Sequence, residues 1–361
     1  MNKNIYFEQS NNFFFMKKRK ILFLIIFQQI FILYLLNNNK YNKNNNLSFN
    51  NKVGNCVIQD QLNNNYTIIE KLQQDYNNSK FAILRRTSCP SCGLFSHYIV
   101  HLGCIREYIS KGYIPLIDLG SFSNLYNGFN NSSLINPWEF FFNQPFNHTL
   151  NKVLKYAQKI KYFKCKDSFK RPYQKTIYLN KVLVNYWHNI ANEYMPIKGV
   201  IINESNYIIK KLFNNNNNIL GVLIRGTDYL AKKPRNHPIP PKVEMVIKDA
   251  KIMDKRNNYD YIFIATEDDI IREKFVNKFV TKIKFYKYKH NINYNYKSKL
   301  KLAFNNSIKG NIDFMKIYLI NIIILSKCID ILAARTSGTA GVFILTNGFR
   351  NNKLYFLGDY K

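Results

Sequence analysis

The sequence predicts an α/β protein of two units in series, behind a single N-terminal transmembrane helix. From residue 81 onward, short apolar strands alternate with stretches of helical periodicity, which is the pattern of a parallel sheet. Near the start, an apolar run follows a basic cluster, and an Asn-rich stretch separates that run from the rest. These observations define the fold class and the order of its parts.

The predicted membrane segment is residues 21–36, ILFLIIFQQIFILYLL, directly after the basic cluster KKRK at 17–20. The run is slightly short for a full span but suits a thin, Golgi-type membrane. Because basic residues stay on the cytoplasmic side, residues 1–20 are expected to be a cytoplasmic tail and the remainder lumenal. This predicts a single-pass type II protein of the Golgi or ER membrane. The alternative is a cleaved signal peptide, but no small-residue cleavage site follows.

Residues 37–80 are dominated by Asn and have little apolar periodicity. Such a stretch cannot bury enough surface to offset its ordering entropy, so we expect a disordered stem. Glycosylation sequons, for example at Asn65 and Asn203, agree weakly with a lumenal glycoprotein.

The formal charge of +31 invites a nucleic-acid partner. However, the basic residues are spread along a chain that is also rich in Asn, Ile, Tyr and Phe. The sequence has no RRM, KH or zinc-finger signature. A generally basic surface is therefore expected, with no nucleic-acid partner.

Six cysteines follow the apolar run, and lumenal exposure would permit disulfides. Cys89 and Cys92 have a spacing that suits a tight disulfide, structural thiols or part of a metal site. Since no second close pair completes a zinc site, no metal is predicted.

The first unit, residues 81–215, is expected to be the N-terminal α/β domain. A strand at 81–86 is followed by the loop TSCPSCG and by a helix at 95–110, which Lys111-Gly112 ends. A second strand spans 114–119. The segment NPWEFFFNQP and a helical stretch near 149–161 come next.

The second unit, residues 216–361, repeats the alternation. Its predicted strands are ILGVLI (219–224), YDYIFIAT (259–266), IDILAA (329–334) and LYFL (354–357). Its predicted helices are KVEMVIKDAKIMD (242–254), EDDIIREKFVNKF (267–279) and DFMKIYLINIIILSKC (313–328).

Three polar loops follow strands of this unit: RGTDY (225–229), ATEDD (265–269) and RTSGTAG (335–341). Ligands of open parallel sheets bind beyond the carboxyl ends of the strands. We therefore expect the three loops to converge on one binding site.

Arg225 is the leading candidate in the first loop, because it follows a buried strand directly. A fixed guanidinium there can bind a diphosphate bidentately. Gly226 would allow close backbone approach, and Thr227 adds a hydroxyl. A salt bridge with Asp228 at the end of the sheet is the alternative.

The second loop carries Thr266, Glu267 and Asp268. Thr266 is a natural N-cap for the following helix, and acids favour its first turn. Contact with a ribose or a base is the functional alternative for this loop.

The third loop carries Thr336, Ser337, Gly338 and Thr339. Hydroxyls and small residues at a strand-to-helix turn present N–H groups that suit phosphate. The loop is not a P-loop, because the Walker lysine is absent. A flexible turn is the alternative.

His237 lies 12 positions after Arg225, in the tripeptide His-Pro-Ile. A lone His is most often structural. No H-x-x-x-H or D-x-D pairing surrounds it, so a metal-dependent sugar-nucleotide site is not indicated.

The ordered series IRGTDY, HPI, ATED and LSKCIDILAARTSG resembles the fucosyltransferase superfamily, which includes core α1,6-fucosyltransferases, NodZ-type enzymes and protein O-fucosyltransferases. ILRRTSCPSCGLFS, KGYIPLIDL and NPWEFFFNQP look like the N-terminal part of a less characterised group of predicted glycosyltransferases. The resemblance covers about residues 80–361.

The resemblance implies a GT-B-like pair of Rossmann-type domains that face each other across a cleft, with the acceptor bound by the first domain and the nucleotide sugar by the second. It implies inverting, metal-independent transfer from GDP-fucose, without a cofactor, to a glycan or glycoprotein acceptor. Arg225 then holds the donor β-phosphate, and Ser337, with Thr336 and Gly338 beside it, holds the diphosphate.

Four positions depart from the family pattern. Leu223 replaces a His, Gly226 a second Arg, Lys233 the proposed general-base Glu of the core enzymes, and Asn321 the acid that contacts guanine.

Asp228, Glu267, Asp268 and His237 remain as candidates for the base, and Asp228 is favoured. The missing Glu also motivates a second hypothesis, a catalytically inactive, membrane-tethered protein that binds a glycan or a nucleotide sugar.

Overall fold

A computed structural model describes most of the chain from Tyr76 onward. The described residues are 76–90, 92–127, 136–166, 171–172, 180–226, 233, 235, 237–287, 312–346 and 348–361. They belong to one compact unit, Glu70–Lys361. The predicted tail (1–20), transmembrane segment (21–36) and most of the stem (37–80) lie outside them. Within the described part of the chain, no helix is both long and apolar enough to cross a membrane.

The first sheet has three parallel strands in the order β2-β1-β3. Its elements are β1 (Lys80–Arg85), α1 (Leu94–Ile109), β2 (Ile114–Ile117) and β3 (Lys159–Lys164). The predicted strand, helix and second strand are confirmed. Gly112, with φ of 74°, follows the end of α1 and supplies the left-handed residue that L side chains disfavour.

The helix predicted near 149–161 is confirmed over Leu150–Tyr156 but ends there, because residues 159–164 form a third strand. Helices α2 (Trp138–Phe141) and α3 (Leu150–Tyr156) precede it, and the chain then extends into β3. The strand is KIKYFK, with its lysines exposed. Lysine-rich edge strands resist pairing with other chains, and this mixed pattern conceals the strand from an apolar-run criterion.

Two helices connect the sheets: α4 (Lys181–Tyr194) and α5 (Gly199–Phe213). The Asn180 side chain caps α4 by accepting from the N–H groups of Val182 and Leu183. Only a narrow stripe of α4 is buried, which includes Val184 and Trp187. The sequence analysis did not assign either helix.

The second sheet has five parallel strands in the order β6-β5-β4-β7-β8. The strands are β4 (Ile219–Leu223), β5 (Tyr261–Ala265), β6 (Ile283–Lys284), β7 (Asp330–Ala334) and β8 (Asn351–Tyr355). The helices are α6 (Val243–Asn257), α7 (Asp269–Lys278), α8 (Ile312–Ser326) and α9 (Ser337–Leu345). The last strand therefore begins three residues before the predicted LYFL segment.

Strand order reverses at β4, because β5 and β6 extend the sheet on one side and β7 and β8 on the other. In doubly wound sheets, this switch point opens a crevice beyond the carboxyl ends of the two diverging strands. The fold therefore places a candidate ligand crevice between the loops after β4 and β7.

One hydrophobic cluster contains residues from both halves of the unit, including Phe95 of α1 and Leu319 of α8. Ring contact between Phe95 and Tyr318, with centroids 5.9 Å apart, joins the two helices near the start of α9. The division into domains at 81–215 and 216–361 stays a prediction.

Two disulfides lie among the described residues of the first half. Cys89 pairs with Cys92, which selects the disulfide from the alternatives for this motif, and Cys104 pairs with Cys165. The second bond joins α1 to the residue after β3. Cys328 is a buried thiol.

Asp330 lies fully buried at the start of β7. Its carboxylate accepts hydrogen bonds from residues at the start of β8 and from a tyrosine that follows α6. Arg350 Nη2 lies 2.6 Å from Asp330 Oδ2, and the Asn351 N–H lies 2.7 Å from Oδ1. The Tyr259 hydroxyl also donates to this carboxylate. Burial opposes the charge, but these hydrogen bonds outweigh it and lower the pKa of Asp330.

Asp330→Asn is expected to lower the free energy of unfolding at pH 7 by about 2–3 kcal/mol, because it leaves donors without their charged acceptor. A lowered folded-state pKa stabilises the protein above the unfolded value, near 3.9, and this contribution is lost as pH falls through the folded value. Denaturant unfolding should therefore show a difference from wild type that shrinks below about pH 4. Glu107→Gln, which removes an exposed ion pair with Lys111, is the control. A full-sized difference at pH 3 would contradict the assignment.

Candidate active site

The three polar loops begin at the same edge of the second sheet, as predicted. Leu223, the last residue of β4, is in register with Ala265 of β5 and with Ala333 of β7. Since β4 lies between those two strands, the loop that begins with Arg225 has the other two as neighbours. The loop that contains Thr336 follows β7, which lies on the other side of the switch point from β4 and β5.

Arg225 contacts the second loop. Its Nε lies 3.8 Å from Glu267 Oε1, and the same oxygen accepts a 3.0 Å hydrogen bond from the Gly226 N–H. About a third of the Arg225 side chain is exposed. Thr227 and Asp228 lie outside the described residues, so the predicted Arg225–Asp228 salt bridge stays untested. Glu267 thus lies beside the Arg225 guanidinium and holds the backbone of the next residue.

Gly226 is required by close approach to α7. A Cβ atom at this position would lie 2.4 Å from Asp268 Oδ2 and 2.7 Å from Ile271 Cδ1. The absence of a side chain lets the β4 loop pack on the start of α7.

The N-cap of α7 is Asp268, and the assignment of Thr266 as the cap was wrong. Asp268 Oδ1 accepts from the N–H groups of Ile270 and Ile271, at 2.9 and 3.1 Å. The Thr266 hydroxyl instead accepts from the Asp268 N–H at 3.2 Å. A carboxylate satisfies two N–H groups and also complements the positive end of the helix.

The third loop is a capped turn. Thr336 Oγ1 accepts from the Thr339 N–H at 3.2 Å, and the Thr339 hydroxyl donates to the Ala334 carbonyl at 2.5 Å. Both threonines are buried. Their hydroxyls hold the turn, so the groups left to meet a ligand are the Ser337 side chain and the first N–H groups of α9.

Tyr318 of α8 is an addition to the predicted residues. A Cβ on Gly338 would lie 2.5 Å from the Tyr318 hydroxyl, so Gly338 leaves room for this hydroxyl at the start of α9. The tyrosine occurs in an apolar helical run, where the sequence pattern marks it as an ordinary core residue.

His237 is exposed, and its Nδ1 lies 3.0 Å from the Arg235 carbonyl oxygen. Its own carbonyl accepts a 2.9 Å hydrogen bond from the Tyr360 N–H. Asp359, next to Tyr360, forms an ion pair with Arg335. The structure therefore connects the His237 segment with the third loop through residues near the end of the chain, which no sequence motif indicated.

The remaining departures from the family pattern have different surroundings. Leu223 is buried in β4, whereas Lys233 is exposed and has φ of 43°. The Asn321 amide donates to the carbonyls of Ile317 and Tyr286, at 2.9 and 3.2 Å. Among the described residues, Asn321 Oδ1 has no hydrogen-bond partner.

Clusters of three or more His, Cys, Asp or Glu side chains that could hold a metal ion are absent from the described part of the chain.

Comparison with known proteins gives structural similarity alone, since no family model and no curated protein matches the chain. The chain is similar to NodZ α1,6-fucosyltransferase soaked with GDP-fucose, with 13% identity and a TM-score of 0.43, over 74% of this chain and 93% of that one. Fucosyltransferase NodZ from Bradyrhizobium has the same identity and TM-score, over 75% and 94%. POFUT1 in complex with GDP-fucose has 8% identity and a TM-score of 0.42, over 77% and 98%. Each of these three solved structures to which the chain is similar is a fucosyltransferase.

Proposed function

We propose that the protein is a glycosyltransferase that transfers fucose, or a related sugar, from a GDP-sugar to a hydroxyl of a glycan or protein. The observation that carries this proposal is that Arg225 follows β4 and the start of α9 follows β7, the two neighbouring strands at the switch point of the second sheet. A guanidinium and a helix N-terminus both favour a diphosphate.

In the proposed reaction, the acceptor oxygen attacks the anomeric carbon of the sugar and the bond to the diphosphate breaks. Negative charge develops on the departing β-phosphate. Arg225 and the N–H groups at the start of α9 stabilise this charge, and Glu267 holds the guanidinium in position. Fixed cationic and N–H donors of this kind serve an inverting, metal-independent displacement.

The acceptor proton requires a base, and we propose Asp228. The other candidates have competing roles. Glu267 accepts from the Gly226 N–H beside Arg225, and Asp268 is buried as the cap of α7. His237 is exposed in a segment held by its backbone.

We further propose a GT-B-like arrangement, in which the unit at 81–215 binds the acceptor and the unit at 216–361 binds the donor. Residues 21–36 would anchor the chain in the Golgi or ER membrane with the catalytic part lumenal. The disulfides Cys89–Cys92 and Cys104–Cys165 support this location, because disulfides persist in oxidising compartments.

A second candidate is a catalytically inactive, membrane-tethered protein that binds a glycan or a nucleotide sugar. It is favoured by Lys233, which occupies the position of the base in the core enzymes. This second candidate would bind phosphate as in the first proposal, but it would lack the base that accepts the proton of the acceptor hydroxyl.

A thermal-shift screen of the full chain in detergent, against GDP-fucose, GDP-mannose, GDP and UDP-sugars, tests both candidates. A ligand that binds the native state at a hundred times its Kd adds about 2.7 kcal/mol of stability. We expect GDP-sugars to raise the unfolding temperature and UDP-sugars to leave it unchanged. GDP release with glycan or glycoprotein acceptors then separates the candidates, because binding without turnover supports the second. No shift with any GDP-sugar would rule out the donor assignment.

A further inference from the structure

A short segment near the end of the described chain, Gly358–Tyr360, is held against the His237 segment by backbone hydrogen bonds. The Ile239 N–H donates to the Gly358 carbonyl at 3.0 Å, and the Tyr360 N–H donates to the His237 carbonyl at 2.9 Å. Pro238 and Asp359 form an antiparallel bridge between these bonds. Pro238 and Asp359 form a non-hydrogen-bonded pair, so the two flanking bonds define the contact and a proline is tolerated there.

The Asp359 side chain reaches in the other direction, to Arg335 at the end of β7. Asp359 Oδ1 accepts from Arg335 Nη2. Their side chains are only 22% and 10% exposed. An ion pair that is this shielded from water is stronger than a surface pair and is costly to break by removing one partner.

Arg335 immediately precedes Thr336, the N-cap of α9. A positive charge beside a helix N-terminus is unfavourable by itself, since that end of the helix dipole is positive. The Asp359 carboxylate offsets the charge and fixes the guanidinium. The segment Gly358–Tyr360, called the strap below, thus connects the backbone of the His237 segment to the residue that leads into the third loop.

We propose that Asp359 is a positioning residue for nucleoside diphosphate binding, which it controls through Arg335 and the strap. This proposal rests on the proposed function, because it assumes that the start of α9 takes the diphosphate. Loss of the carboxylate leaves a shielded guanidinium without its counter-charge. Arg335 then turns toward solvent, and the Thr336 turn loses its fixed geometry.

The first test measures the Kd of GDP for the full chain by calorimetry, together with its unfolding temperature. Asp359→Asn is expected to raise the Kd about tenfold, whereas Asp359→Glu, which keeps the charge, restores most of the affinity. Glu244→Gln, which removes an exposed ion pair with Lys274, is the control and should leave the Kd unchanged. An unchanged Kd in Asp359→Asn overturns the proposal.

A double-mutant cycle shows whether Asp359 acts through Arg335. If it does, the double variant Arg335→Gln/Asp359→Asn binds GDP no more weakly than Arg335→Gln alone. Additive losses would overturn the route through Arg335.

Amide hydrogen exchange tests the strap without a ligand. Tyr360→Pro removes the N–H that bonds to His237, and Asp359→Asn removes the side-chain contact. Both are expected to speed exchange at Ile239 and in the first turn of α9, relative to Glu244→Gln. If the wild-type chain fails to bind GDP, the proposed function is wrong. The amide hydrogen-exchange rates then remain as the test of the strap. Unchanged exchange rates in both variants overturn it.

Discussion

Arg225→Ala is expected to lower kcat/KM for sugar transfer by about 10³-fold, because it removes a fixed donor aimed at the charge on the leaving diphosphate. Donor binding should weaken as well, since in the proposed reaction the ground-state diphosphate contacts the same guanidinium. Fold stability should change little, because the Arg225 side chain is about a third exposed and its ion pair with Glu267 is long, at 3.8 Å. Initial rates with GDP-fucose and a glycan acceptor provide the measurement.

Two further variants sharpen the result. Arg225→Lys keeps the charge but not the bidentate geometry, and should fall between wild type and Arg225→Ala. Arg256→Ala removes an exposed arginine on α6 and should behave as wild type. If Arg225→Ala retains wild-type transfer, the centre of the site has been assigned to the wrong residue.

Lowering the pH from 7 to 5 is expected to destabilise the protein through two buried histidines of α1, by about 2 kcal/mol for His101 and in the same direction for His97. His97 and His101 are both fully buried. Burial lowers the pKa of His101 to about 3 and holds the pKa of His97 well below its usual value. The nearby positive charge of Arg86 lowers both further.

The direction of this pH dependence is determined by whether the folded or the unfolded state binds more protons. In the unfolded chain each histidine titrates near 6.5, so below that pH the unfolded state takes up protons that the folded state excludes. Their neutral forms therefore stabilise the fold above pH 6.5. His101 loses about 2 kcal/mol of this contribution by pH 5, and the contribution of His97 falls in the same direction. In the neutral form, His101 Nδ1 donates to the His97 carbonyl at 2.8 Å.

Denaturant unfolding at several pH values measures this effect. His101→Gln should reduce the loss between pH 7 and 5 without removing it, because one titrating group remains. His237→Gln removes an exposed histidine and should leave the pH dependence as in wild type. An unaltered slope in the double variant His97→Gln/His101→Gln would show that other groups cause it.

The sequence predicted the strands that are buried on both faces, because each is a continuous apolar run. ILGVLI, YDYIFIAT and IDILAA all contain strands of the central sheet. It did not predict β3, whose lysines point to solvent at a sheet edge. Helices α4 and α5 were also missed. Each buries only three or four residues, and polar residues such as Asn interrupt the apolar pattern of both.

The site shows the same division. Arg225, Glu267 and Thr336 follow strands directly, and parallel topology brings strand ends together regardless of sequence distance. The contacts that fix these residues come from elsewhere. Tyr318, on helix α8, lies next to the start of α9. Asp359, which follows β8 in the chain, forms an ion pair with Arg335. Such contacts depend on three-dimensional packing and leave no periodic or motif signal.

The central position of β4 has a consequence for biosynthesis. Its partner β7 lies more than a hundred residues later in the chain, at 330–334 against 219–223. The crevice between the loops after β4 and β7 therefore cannot form on a nascent polypeptide until β7 has left the ribosome. The half that contains Cys104 and Cys165 is translated much earlier, so its cross-link can form while the second sheet is still incomplete. The Cys104–Cys165 disulfide can thus form before the sheet that carries the candidate site is complete.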